Sequence, residues 1–265
     1  MNVIVIGAHP DDAEGYCGGT AAKMAAAGHA VKFLSLTNGD AGHHEMGGAT
    51  LVRRRRGELE ESARRLGIAA GEALDNHDGE LMPTLELRRD VLKHIREWKA
   101  DLVIAHRPDD YHPDHRYAAL TVQDAGYMTM VPNVCPSTPP LRRNPVFVYM
   151  EQEFSKPLPK PPDVAVSIDG VWEKKVSALD AHESQFYEWL PWIEGEPESV
   201  PGDAAERTRW LGAKWSWRIF PAMREALVRR YGEAEGGAVR HAEAFTLCEY
   251  GRQPAPGELD RIFPR

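Results

Sequence analysis

Two short runs rich in imidazole and carboxylate stand out in this 265-residue chain. One is His9-Pro-Asp11-Asp12-Ala-Glu14, and the other is His106-Arg-Pro-Asp109-Asp110-Tyr-His112-Pro-Asp114-His115. Together they hold four of the eleven histidines, alongside five aspartates. Adjacent carboxylates in a turn point different ways, so one of Asp11 and Asp12 can ligate a metal while the other faces a substrate. So much negative charge in one loop makes sense only with a cation to offset it. Two histidines and a carboxylate leave coordination positions open, the pattern of a catalytic rather than a structural zinc. Water at such a site ionises near neutral pH, a free carboxylate beside it serves as general base, and a spare imidazole can stabilise an oxyanion. The same donors also describe a non-haem iron site, so the donor set leaves the reaction open.

Both runs follow apolar segments that read as strands, Val3–Gly7 and Leu102–Ala105. Ligands of open α/β sheets bind outside the carboxyl ends of strands, so both runs belong at one sheet edge. The first run is no dinucleotide fingerprint, because Ala8-His9 stand where glycines are needed, and no Walker lysine follows. Further strands are expected at Val31–Thr37 and Phe147–Met150. Helices are expected over Gly18–Gly28, over 50–66 with Arg54/Glu58 and Arg56/Glu60 pairs and Gly67 as the stop, and over Thr84–Trp98. More helix is expected around 170–188 and 203–230. Strands alternating with helices imply a Rossmann-like α/β fold, a mainly parallel sheet with helices on both faces, in a single domain over 1–265. The proline-rich stretches 131–145 and 156–163 read as loops, either lids or plain surface connections.

Net charge is −8 with 42% apolar residues, an ordinary globular mixture that argues against nucleic acid or an anionic membrane as the main partner. No run of apolar residues is long enough to span a bilayer. The start runs straight into a strand without a basic leader, and Cys17, Cys135 and Cys248 form no disulfide framework. A cytoplasmic location is the expectation.

The segments Ala8-His-Pro-Asp-Asp-Ala-Glu14 with Cys17-Gly-Gly-Thr20, paired with His112-Pro-Asp-His115, resemble the LmbE-like family of zinc-dependent N-deacetylases, which includes the PIG-L enzyme of glycolipid anchor synthesis. Weaker supports are Leu36–Gly42, Arg55-x-x-Glu58, Asp78–Leu81, His182-x-Ser-Gln185 and Ala242–Phe245, in the family's order along most of the chain. The resemblance implies hydrolysis of an N-acyl group, usually N-acetyl, from an amino sugar or glycoconjugate. Carried over by position, His9, Asp12 and His115 are the metal ligands, with zinc the expected ion and ferrous iron the alternative. Asp11 is then the general base, and the acid that protonates the leaving amine. His112 polarises the carbonyl, and Asp114 holds His112 in orientation. Arg55 matches a sugar-contacting position. Homo-oligomers also occur in the family.

Each assignment has a plainer counterpart. Asp114 can cap a helix starting near His115; Arg55 can pair with neighbouring glutamates; and Asp78 can be a turn residue rather than a sugar-hydroxyl acceptor. His43, His44 and His77 read as loop residues near the mouth of the site. His106 reads as structural or as support for a ligand, His182 and Gln185 as packing or site support, and Cys17 as a tightly packed residue rather than a nucleophile. The substrate is expected to be chosen by the loops around 41–50 and 131–145 and by the tryptophan-rich stretches 189–192 and 210–217. Competing functions are a deacylase of a non-sugar amide, a non-haem iron oxygenase and a non-catalytic metabolite-binding protein.

Overall fold

A computed structural model describes residues 1–151, 162–216 and 219–265. Among these residues, seven strands form one sheet in the order β3-β2-β1-β4-β5-β7-β6. They are β1 (Asn2–Gly7), β2 (Ala30–Thr37), β3 (Ala70–Asn76), β4 (Leu102–Ala105), β5 (Val146–Met150), β6 (Val164–Ser167) and β7 (Ala242–Leu247). Strands β3 to β5 run parallel around β1, whereas β7 is antiparallel to both β5 and β6. The helices are α1 (Asp12–Ala26), α2 (Gly48–Leu66), α3 (Leu85–Glu97), α4 (Pro113–Met128) and α5 (Trp172–Asp180). A π-helical turn, Ser184–Trp189, then runs into α6 (Leu190–Ile193). They are followed by α7 (Ala204–Lys214), α8 (Pro221–Tyr231), α9 (Glu233–Ala238) and α10 (Glu258–Ile262).

Strand β1 shows why the sheet is covered on both sides. Val3 and Val5 join a core with Cys17 and Ala21 of α1 and Leu66 of α2, while Ile4 and Ile6 join Val91 and Ile95 of α3 and Ala118 of α4. A strand buried on both faces must be apolar throughout, which is how Val3–Ile6 reads. Cys17 is fully buried in this packing, and burial pushes its thiol up.

The expected α/β fold is therefore present, with differences at particular elements. Helix α1 begins at Asp12, six residues before the expected start at Gly18. Helix α2 ends as expected on Gly67, which takes the left-handed conformation at φ 74°. Arg54 pairs with Glu58 at 3.1 Å, but Arg56 turns to Asp75 rather than Glu60. Strands β3, β6 and β7 had no clear signal. In β3, Ala-Gly-Glu-Ala-Leu-Asp-Asn is poor strand sequence, and only the edge of the sheet defines it. The expected helix at 170–188 is broken into α5 and the π-helical turn, and that at 203–230 into α7 and α8. Most of 156–163, and Trp217, lie outside the described residues.

Residues 131–145 are a surface connection in which one buried side chain makes most of the side-chain hydrogen bonds. Arg96, 2% exposed, donates to the carbonyls of Met128, Thr129, Val131, Val134, Cys135 and Thr138. None of residues 131–145 lines the cavity beyond the ends of β1 and β4, where sequence had placed them as substrate-choosing loops. Arg96→Met should lower the free energy of unfolding by roughly 2–4 kcal/mol, because it strips a charged donor from buried carbonyls. Urea denaturation reads this directly; an unchanged midpoint would show that the loop holds itself.

Candidate active site

The site forms because β1 and β4 are neighbours. They pair in parallel with Val3 opposite Leu102 and Ile6 opposite Ala105, so the loops after Gly7 and Ala105 leave the sheet side by side. Each loop then enters a helix at once, α1 at Asp12 and α4 at Pro113. The positive ends of two helices thus face a group of carboxylates, which they favour.

His9, Asp12 and His115 converge. His9 Nδ1 lies 3.3 Å from His115 Nε2 and 3.5 Å from Asp12 Oδ2, and His115 Nε2 lies 3.3 Å from Asp12 Oδ1. The outer atom of each ring is already engaged. His9 Nε2 faces Asp78 at 3.1 Å and Asp114 at 3.3 Å, and His115 Nδ1 faces Asp110 at 3.1 Å. With the ring protons on those outer atoms, the inward nitrogens are free to present lone pairs to a cation. Asp12 Oδ2 is held by the backbone N–H groups of Ala8 (2.9 Å) and His9 (2.7 Å) and by His106 Nε2 (3.0 Å).

Inward nitrogens this close repel one another unless a proton or a metal cation lies between them. Tetrahedral zinc with bonds of about 2.0–2.1 Å spaces its donors about 3.3–3.4 Å apart, as the two inward nitrogens are and as His115 Nε2 is from Asp12 Oδ1. The electrostatics agree. Although burial lowers both, the carboxylates Asp114, Asp12 and Asp78 raise His9 well above its usual range, and Asp12 and Asp110 push His115 up to about 9. The surroundings are built for positive charge. Three groups of donors here are compact enough for an ion: His9, His112 and His115; Asp12, His106 and His115; and His9, Asp78 and Asp114.

Asp11 stands beside this group without joining it. Its backbone is strained at φ 149°, the tight turn that aims the carboxylates of Asp11 and Asp12 in different directions. Burial pushes the Asp11 carboxyl up to about 6, against the pull of Arg55, whose Nη2 lies 3.1 Å from Oδ2. Arg55 is 1% exposed, donates to Pro10 O at 2.8 Å and lies 3.6 Å from Asp78. It contacts no glutamate; the glutamate partner belongs to Arg54. A Cβ on Gly39, which has φ 71°, would press against the Arg55 guanidinium, so glycine is required there.

His112, not Asp114, caps α4: its Nδ1 accepts the Asp114 N–H at 3.2 Å. Burial lowers the His112 ring, helped by His9 and His115; with Nδ1 accepting from the backbone, the N–H it can offer is on Nε2. The carboxylate of Asp114 does not hold His112 as expected from sequence. It takes His9 Nε2 and the N–H groups of Gly79 (2.7 Å) and Leu81 (3.2 Å), because the cap turns it toward the neighbouring loop. Asp78, expected as a sugar contact or turn residue, is a second anchor of His9. Burial opposes its charge, but the His9 contact holds its carboxyl down to about 2.

His106 is fully buried on Asp12 and stacked on His115 at 4.0 Å, the supporting place expected for it. Sequence reading gave no role to Asp110; its spacing five residues before His115, in a loop that must fix that ring, was the available signal. His182 lies 3.1 Å from Glu14 in a fully buried pair, and Gln185 donates to Gly42 O at the cavity wall. His43 contacts Glu188, His44 stacks on Trp192, and the half-exposed His77 contacts Asp40, so none of the three faces the cavity.

These residues open into a cavity of about 490 Å³, whose lining includes Asp11, Arg55, Asp78 and His112. Residues 4–125 match the PIG-L family, described as GlcNAc-PI de-N-acetylase. The chain is 34% identical over 203 residues to the diacetylchitobiose deacetylase of Thermococcus kodakarensis, covering 72% of this chain and 74% of that protein. It is similar in structure to the N,N'-diacetylchitobiose deacetylase of Pyrococcus horikoshii, with a TM-score of 0.68, 27% identity, and coverage of 93% of this chain and 83% of that one. A 4-carboxy-2-hydroxymuconate hydratase from Pseudomonas putida shares the fold, with a TM-score of 0.72, 20% identity, and coverage of 96% and 99%. The fold therefore serves more than one reaction, and the site must assign it. No helix among the described residues is long and apolar enough to cross a membrane.

Proposed function

The chain belongs to the PIG-L family of de-N-acetylases, and on that premise we propose that it hydrolyses the N-acetyl group of an N-acetylated amino sugar or its conjugate. One observation carries the reading: His9 Nδ1, Asp12 and His115 Nε2 meet within 3.5 Å, with Asp11 and His112 lining the same cavity. His9, Asp12 and His115 would hold a divalent cation, with zinc the assignment and ferrous iron the alternative. That ion would supply Lewis acidity toward a water and toward the amide carbonyl.

The remaining steps belong to side chains of this chain. Asp11, with no contact to either inward nitrogen, takes the proton of the attacking water as the C–O bond forms. It then returns that proton to the amide nitrogen as the C–N bond breaks, releasing acetate and the amine. The Nε2–H of His112 donates to the carbonyl oxygen as negative charge builds on it. Arg55 orients Asp11. Asp78 and Asp114 orient His9, and Asp110 and His106 do the same for His115 and Asp12.

The test is metal analysis of the purified protein with amine release from N-acetylglucosamine conjugates, with and without chelator. About one equivalent of metal and chelator-sensitive release is the expected result. Metal-free protein with full activity would overturn it. His112→Ala should lower kcat by about 10²–10³-fold with little change in KM, since it acts on charge present mainly in the transition state. Steady-state kinetics decides this, and a change confined to KM would remove His112 from that role.

A further inference from the structure

The reaction above uses only one half of the cavity. The strand-end loops and Arg55 supply its polar lining, while an apolar wall comes from residues 179–193 and the end of α7: Leu179, Phe186, Trp189, Leu190, Ile193 and Trp215. These six side chains carry no hydrogen-bond acceptor, and their only polar groups are two indole N–H donors; the acceptor that this stretch adds to the lining is the amide oxygen of Gln185, on the side where its Nε2 donates to Gly42 O.

The wall is anchored in place. Leu179 and Phe186 are buried, and Trp215 packs edge-on against Phe186 with centroids 5.1 Å apart. Trp189 stacks on Trp192 at 5.5 Å, Trp192 on His44 at 4.9 Å, and His44 on His43 at 4.7 Å. His43 and Arg54 both grip Glu188, the residue before Trp189, at 2.8 Å and 2.6 Å. At the outer end, Ile193 is 57% exposed, an apolar side chain standing in water until something covers it.

Such a wall discriminates chemically. A sugar hydroxyl placed against those six side chains gives up water and finds no acceptor for its proton. An apolar group gains roughly threefold to fourfold in affinity for each methylene buried. Resting on the deacetylase reading of the polar half, we infer that the substrate carries an apolar group beside its N-acylated amino sugar, as an aglycone or as an extended acyl chain. In that position the site selects against a second sugar ring.

The experiment compares four compounds: N-acetylglucosamine, its hexyl glycoside, N-hexanoylglucosamine and N,N'-diacetylchitobiose. Calorimetry gives Kd and amine release gives kcat/KM, both on metal-loaded protein. One hexyl-bearing compound should bind at least about tenfold tighter than N-acetylglucosamine and be turned over correspondingly better, while the disaccharide gains nothing. Preference for the glycoside places an aglycone on the wall, and preference for the hexanoyl amide places the acyl chain there. Trp189→Gln should erase most of the preference. Ile193→Gln, at an exposed position, should reduce it even if the tryptophan variant fails to fold. Equal affinity for all four compounds, or preference for the disaccharide, overturns the inference whatever the turnover. Tight binding of a hexyl compound with no amine released from any of them keeps the apolar wall and defeats the deacetylase reading instead.

Discussion

Asp11→Asn is expected to lower kcat by about 10²–10⁴-fold, the usual contribution of a positioned general base, while metal content stays at the wild-type level. The two effects separate because Asp11 and its neighbour have different partners. Asp12 faces both inward nitrogens, whereas Asp11 is engaged by Arg55 at 3.1 Å. Asparagine keeps the size and tolerates an unusual backbone angle better than most residues, so the turn at φ 149° should survive. It cannot accept the proton of the attacking water. Single-turnover kinetics alongside metal analysis checks both halves of the claim. Loss of metal together with activity would make Asp11 a ligand, and retained activity would place the base elsewhere.

His115→Ala should remove metal and activity together. Its Nε2 stands 3.3 Å from both His9 Nδ1 and Asp12 Oδ1, so no arrangement of the other two donors replaces it. Losing an outer partner of a ligand costs about 10–100-fold in metal affinity, so losing the ligand itself should cost more than about 100-fold. Asp110→Asn, which removes the carboxylate 3.1 Å from His115 Nδ1, should fall within that smaller range. A stability readout supports the affinity measurement. A cation that binds only the folded protein raises the wild-type melting temperature, and this shift should vanish in His115→Ala. A variant that still takes up one equivalent at wild-type affinity would sink the ligand assignment.

Much of this site was legible because its residues are close in sequence and follow strong strand signals. Val3–Gly7 and Leu102–Ala105 are apolar runs that any α/β sheet would bury, and loops at strand ends are where such sheets bind ligands. The site support was less legible because its partners are distant or take unexpected directions. Asp114 was matched with His112, two residues away, yet its carboxylate crosses to His9. Arg55 lies among glutamates in sequence, but helix α2 turns it inward to Asp11 and Asp78 while Arg54 takes Glu58. The tryptophans at 189 and 192 had no reading that separated core from ligand contact. In the structure Trp189 lines the cavity, and Trp192, 46% exposed, stacks between Trp189 and His44.

The sequence by itself determined the chemistry on offer: imidazoles and paired carboxylates in two loops, each directly behind a buried strand, and an alternation of strands and helices that brings such loops to one edge. Tertiary structure decided which atoms meet. The parallel pairing of β1 with β4 set the 3.3 Å contact between His9 and His115. The antiparallel return of β7 brought Glu243 under the N–H groups of Gly19 and Thr20 in α1 and against Lys175 at 2.7 Å. A residue's type and local spacing limit what it can do. Which lone pair faces which proton depends on contacts across the sheet, and those exist only once the chain has packed.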